Sequence, residues 1–136
     1  GAINDPVIRQ DIARLHILAQ SARWTAQRAR AAQKAGKPHG PEGSLGKLAA
    51  SHIGRLASRV HTDISANEAL LTGPESAMDG TIAEILVSTP AGSIAGGTDE
   101  IQRNIIAERV LGLPKEPRFD TGPFRDVPRN SSAKDQ

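Results

Sequence analysis

Two glycines, a hydroxyl and two carboxylates stand side by side at Gly96-Gly97-Thr98-Asp99-Glu100. A carboxylate can accept a proton from a reacting carbon, and a glycine pair lets a flat or bulky group come close to the backbone. The residues that follow read as a helix to about Leu111, stopped by Gly112 and barred from resuming by Pro114. Thr98 is its N-cap, the hydroxyl accepting from a backbone N–H that the first turn leaves unpaired. Asp99 and Glu100 suit the positive end of the helix dipole. A helix N-terminus of this kind suits a pyrophosphate or another electron-rich group. The same five residues also fit a plain capped helix, with Glu100 paired to Arg103 or Asn104 one turn on.

Other groups offer less. His16, His39, His52 and His61 show no metal-ligand spacing and are expected at the surface or its boundary, so no metal site is expected. The chain has no cysteine, which excludes disulfides and thiolate chemistry and agrees with a cytoplasmic location. Arg23, Arg28, Arg30, Lys34 and Lys37 form a run without an intervening acid, which reads as a solvated helix face. A net charge of +2 is too small to imply a polyanionic partner. No segment approaches the roughly 18 apolar residues of a membrane span. Neither nucleic acid nor a membrane is expected as partner.

The elements that must position the 96–100 cluster are all helical. Pro6 fits a first helical turn capped by Asn4 or Asp5, and Ile8, Ile12, Leu15, Ala19, Ala22, Ala26 and Ala29 continue as one stripe to about Gly36. Residues 37–41 are a turn by composition. Leu45, Ala49, Ile53, Leu56, Val60 and Ile64 predict a second long helix, from Glu42 or Ser44 to about Leu71. Residues 73–80 read as a loop, and Thr81–Ser88 as a short helix closed by Pro90. Strand alternation is absent, and the scarcity of aromatics (Trp24, Phe119, Phe124) suits an aliphatic helix-packed core. The expected fold is all-α: an up-and-down bundle of four-helix type over residues 1–114, with an irregular proline-rich tail over 115–136 that is partly disordered. At 136 residues, this is one domain. Gly1-Ala2 at the start suggests an expression remnant or a cut within a longer protein.

The string from Gly96 to Arg109 resembles a signature of the acyl-CoA dehydrogenase family: glycine, glycine, threonine, any residue, then Glu-Ile-Gln-Arg-Asn-Ile-Ile-Ala-Glu-Arg. The order of helices resembles that family's C-terminal domain over residues 5–118, including the turn Gly40 to Lys47. The resemblance implies FAD as cofactor and oxidation of an acyl-CoA thioester to the 2-enoyl-CoA. It also implies electron transfer to an electron-transfer flavoprotein, and a homo-dimer, tetramer or hetero-oligomer with a related subunit. Thr98, Asp99 and Glu100 would lie against FAD, and Gly97 would line the acyl-CoA pocket. Asp63 to Asn67, at the end of the second helix, would reach FAD across an interface, although the family's usual glutamine and glycines are missing there. Many members carry the catalytic glutamate where this chain has Gly96. Glycine takes no proton, so no catalytic residue carries over, and the base belongs to an upstream region or a partner subunit. Family members are several-fold longer, so this chain alone is expected to be inactive.

Two rivals belong to other classes. Residues 46–60 superficially resemble a helix-turn-helix, with Arg55 and Arg59 available to DNA; continuous helical spacing across Gly54 speaks against it. The second rival is a helical interaction module or inactive partner subunit, using the alanine-rich face from Ala19 to Ala32.

Overall fold

A computed structural model of the chain describes residues 1–38, 40–115 and 122–127. Four α-helices carry it: α1 (Pro6–Lys34), α2 (Glu42–Ser65), α3 (Thr81–Gly92) and α4 (Asp99–Arg109). No strand occurs among the described residues, so the all-α expectation holds. Short 3-10 turns at Ala2–Asn4, Ala66–Leu70, Ala77–Gly80 and Phe124–Asp126 lie between or beyond the helices. The tail is described only at 115 and 122–127, and Phe119 and the terminal Lys134 to Gln136 fall outside the described residues.

Local chemistry sets the helix ends. Asp5 caps α1, its carboxylate accepting from Val7 N at 2.7 Å, and Pro6 sits at the first helical position. Thr98 caps α4 by accepting from Ile101 N at 3.3 Å. Two ends differ from expectation. α2 leaves α-helical geometry at Ser65, because Ala66 takes φ +50° and ψ −128°; the chain continues to Leu70 as a 3-10 turn. α3 passes through Pro90 to Gly92. Pro90 stands in the last turn, where one lost N–H bond is tolerable, and the Thr89 hydroxyl donates to Ile85 O at 2.6 Å.

α2 is the spine, packing against α1, α3 and α4. Asp11 meets Arg59 near one end of the α1–α2 pair, and Ala29 faces Leu45 near the other, so the two helices run antiparallel. α3 is antiparallel to α2 as well: Ser51 lies beside Gly92, while Thr62 lies beside Leu86. α2 runs unbroken through Gly54, which removes the helix-turn-helix. Arg55 and Arg59 point instead to Asp99 and Asp11.

The apolar stripes are only partly covered. Of the α2 stripe Val60 alone is buried, and Ile64 is exposed; on α1, Ala19 and Ala26 are exposed and the rest half-buried. Among the described residues, Val60, Ala69 and Ile82 are the buried apolar ones, whereas Asp11, Ser51, Ser58, Ser76, Asp99 and Gln102 are buried polar ones. An α-helical face with half-covered alanines is built for a neighbour at close range, and here a groove of about 540 Å³ opens between α1 and α2, lined by Ala22, Ala26, Ala29, Leu45 and Ala49 among others.

Candidate functional site

The site begins with a turn that only glycine adopts without strain. Gly96 and Gly97 both have left-handed backbones, φ +69° and +91°. At Gly97 a Cβ would stand 2.7 Å from Gln102 Nε2, while at Gly96 it would meet nothing within 4 Å. Gln102 accounts for the closeness. It is buried, one turn into α4, and its side-chain amide donates to Gly96 O at 3.2 Å. The turn is thereby folded back on the helix it starts, with open space beside Gly96.

Each candidate from the sequence can now be located. Thr98 is half-buried at the cap. Glu100 is exposed and takes the local partner, its carboxylate accepting from Arg103 at 3.2 Å. Its own backbone N–H, the Thr98 hydroxyl and the Arg103 charge hold its pKa below the usual glutamate range, against some desolvation. Asp99 is 4% exposed and its carboxylate faces α2. Its Oδ2 accepts from Arg55 at 2.9 Å and its Oδ1 from Lys47 at 3.0 Å. Arg55 first, then Lys47 and Ser51, hold the Asp99 carboxyl far below the usual carboxylate range, outweighing burial, which pushes it up. Asp63 is about half exposed, 3.8 Å from Arg59 Nε, and Asn67 is exposed in the 3-10 turn beyond α2. The structure thus gathers Gly96, Gly97, Thr98 and Glu100 at one turn, and places Asp63 and Asn67 at the far end of α2.

The N-terminus of α4 has few donors to spare. Asp99 N donates to Ser93 O at 3.0 Å, Ile101 N to the Thr98 hydroxyl, and Gln102 N to Thr98 O at 3.0 Å. The polar groups left at this edge are the Thr98 hydroxyl, which can donate, and the Glu100 carboxylate, which only accepts.

Lys47, Ser51, Arg55 and Gln102 were missed as site residues. Gln102 had a signal, since it lies inside the 96–109 string, and so did Lys47, at the start of a helix. Ser51 and Arg55 had none beyond standing four and eight residues after Lys47. His16, His52 and His61 are exposed, as expected, while His39 lies outside the described residues. No group of three metal-ligating side chains occurs among the described residues, and no described helix is long and apolar enough to cross a membrane.

Fold and turn together define a class: an all-α domain that presents a helix N-terminus through a left-handed glycine pair. The chain belongs to the acyl-CoA dehydrogenase family, whose C-terminal domain pattern matches residues 1–111. It is 33% identical over 122 residues to the acyl-CoA dehydrogenase IpdE1 of Mycobacterium tuberculosis, a match covering 85% of this chain and 29% of that protein. A shorter match, 77% identical over 26 residues, joins it to the acyl-CoA dehydrogenase IpdE1 of Mycolicibacterium smegmatis, covering 19% of this chain and 7% of that one. Among solved structures, the Tcur3481-Tcur3483 steroid ACAD superposes with a TM-score of 0.73 at 20% identity, over 85% of this chain and 31% of that one. The ChsE4-ChsE5 complex from Mycobacterium tuberculosis gives 0.73 at 23% identity, over 85% and 30%. At such identities the superpositions show the fold alone. The chain spans under a third of the length of the Mycobacterium tuberculosis relative.

Proposed function

We propose that the full-length protein is a cytoplasmic FAD-dependent acyl-CoA dehydrogenase that removes two hydrogens across the α,β bond of an acyl-CoA thioester. Family membership supports this, and the observation that carries it to the residues is the glycine turn at 96–98, open on the Gly96 side and backed by a capped helix. FAD would supply the hydride-accepting chemistry. This chain's part is to place Thr98 and Glu100 against the flavin and to keep Gly97 clear of side-chain bulk beside the acyl-CoA. Asp63 and Asn67, at the end of α2, would reach FAD at a subunit interface. Gly96 offers no base, so the α proton must go to a carboxylate outside this chain, upstream or on a related subunit.

The two structural neighbours are a steroid ACAD and a two-component complex. A hetero-oligomer with a related subunit, an electron-transfer flavoprotein as acceptor, and steroid-derived acyl-CoA among the substrates to try are therefore part of the proposal. The test is anaerobic mixing of FAD-loaded full-length protein, alone and with its related subunit, with a panel of straight, branched and polycyclic acyl-CoA thioesters. Bleaching of the flavin band is the expected result. No bleaching with any of them, in either form, would sink the enzymatic half. A second reading, an inactive subunit or helical interaction module, draws on the uncovered alanine face between α1 and α2; it predicts association with a partner subunit without bound flavin.

A further inference from the structure

The turn before α4 is gripped from α2. Lys47, Ser51 and Arg55 follow at steps of four and so share one face of that helix. Between them they hold the last residue of α3, the segment that follows it and the first residue of α4. Ser51 Oγ donates to Gly92 O at 3.0 Å, Arg55 donates to the Ser93 hydroxyl and to Asp99 Oδ2, and Lys47 donates to Asp99 Oδ1. Both Asp99 oxygens are engaged and the residue is buried. The Asp99 backbone N–H closes the loop on Ser93 O, and Gln102 ties Gly96 O to α4. A left-handed glycine pair is otherwise the most conformationally permissive piece of this chain.

We propose that Asp99, Lys47 and Arg55 are positioning residues, whose ion-paired cluster fixes the Gly96–Thr98 turn on α2 and so sets the placement of whatever binds against that turn. The proposal rests on the flavin and acyl-CoA reading of the turn. Placement is what the reaction needs: a displacement of about 1 Å in a bound reactant costs on the order of a hundredfold in rate. Asparagine at 99 keeps the shape but deprives Lys47 and Arg55 of their carboxylate.

The experiment uses the full-length protein, loaded with FAD and joined to its related subunit, carrying Asp99→Asn, Lys47→Met, both together, or Lys47→Arg. The variants are expected to keep FAD with a shifted visible band. kcat should fall about tenfold or more while KM stays within about twofold. The double variant should be no worse than the worse single, since the two residues act as a unit, and Lys47→Arg should recover most of the loss. Should Asp99→Asn fail to fold, Lys47→Met carries the test. Variants that melt earlier yet keep the wild-type band and kcat would overturn the proposal, as would losses that simply add. If the wild type reduces no flavin with any acyl-CoA, the enzymatic reading fails on its own. The anchor is then judged by amide hydrogen exchange at residues 94–98, where faster exchange in Lys47→Met upholds it and unchanged exchange overturns it.

Discussion

At Gly97 an added methyl group would lie 2.7 Å from the Gln102 amide on a backbone of φ +91°, whereas at Gly96 it would meet open space at φ +69°. The two glycines of one turn are therefore needed for different reasons. Gly96→Ala carries only the left-handed penalty, about 1 kcal/mol. Gly97→Ala adds a displaced Gln102 and the loss of its bond to Gly96 O, about 2–3 kcal/mol in all. Urea denaturation of the two variants should rank them in that order, and equal costs would show that Gln102 does not hold the turn. The glycines, the threonine cap and the Glu100–Arg103 pair were all legible in the sequence, because each depends on neighbours within a turn. The direction of the Asp99 carboxylate was not. A helix-opening aspartate reads as a solvent-side or ligand-side charge, and nothing nearby in sequence announces that Lys47 and Arg55 will claim it.

Among the elements, α2 carries two stripes. The apolar one, Leu45 to Ile64, follows from spacing and locates the helix correctly. The polar one, Lys47, Ser51 and Arg55, with Arg59 a turn further, makes the cross-helix bonds to Asp99, Gly92 and Asp11. Periodicity arguments assign such residues to water, so the seat of α4 on α2 could not be read from pattern. This seat depends on pH. The Asp99 carboxyl titrates far below its ordinary value in the folded chain. Its contribution is therefore fully present above the ordinary aspartate pKa of about 3.9 and is lost as pH falls below it towards the folded value. The stability gap between wild type and Asp99→Asn should accordingly be largest near pH 7 and narrow by pH 3. Urea midpoints at the two pH values check this, and a gap that holds constant would mean that the carboxylate charge is not what seats α4. Pro90 and Ala66 show the other limit of local signals: the proline is carried inside the last turn of α3, and α2 ends at an alanine with φ +50° rather than near Leu71.

In the molecule as a whole, Val60, Ala69 and Ile82 are the only buried apolar residues among those described, while Trp24, Val87, Leu70 and Leu111 are mostly exposed. Hydrophobic burial is the main driving force for folding, so this chain by itself has little to spare. It is expected to unfold over a broad thermal transition and to bind a hydrophobic dye well below its midpoint, whereas the full-length protein, with its uncovered helix faces buried, melts sharply at higher temperature. Scanning calorimetry of both would decide it, and a sharp, dye-free transition in the chain alone would show that the thin core suffices. By itself the sequence determined the four helices, the Thr98 cap, the glycine turn and the family, because helix periodicity, capping and φ preferences act over a few residues. Only the tertiary structure decided where the charges go. Asp11 and Arg59 are 48 residues apart, and Lys47 and Asp99 52; a partner at that distance is chosen by how helices pack, since burying a carboxylate is tolerable only where packing brings it a cation.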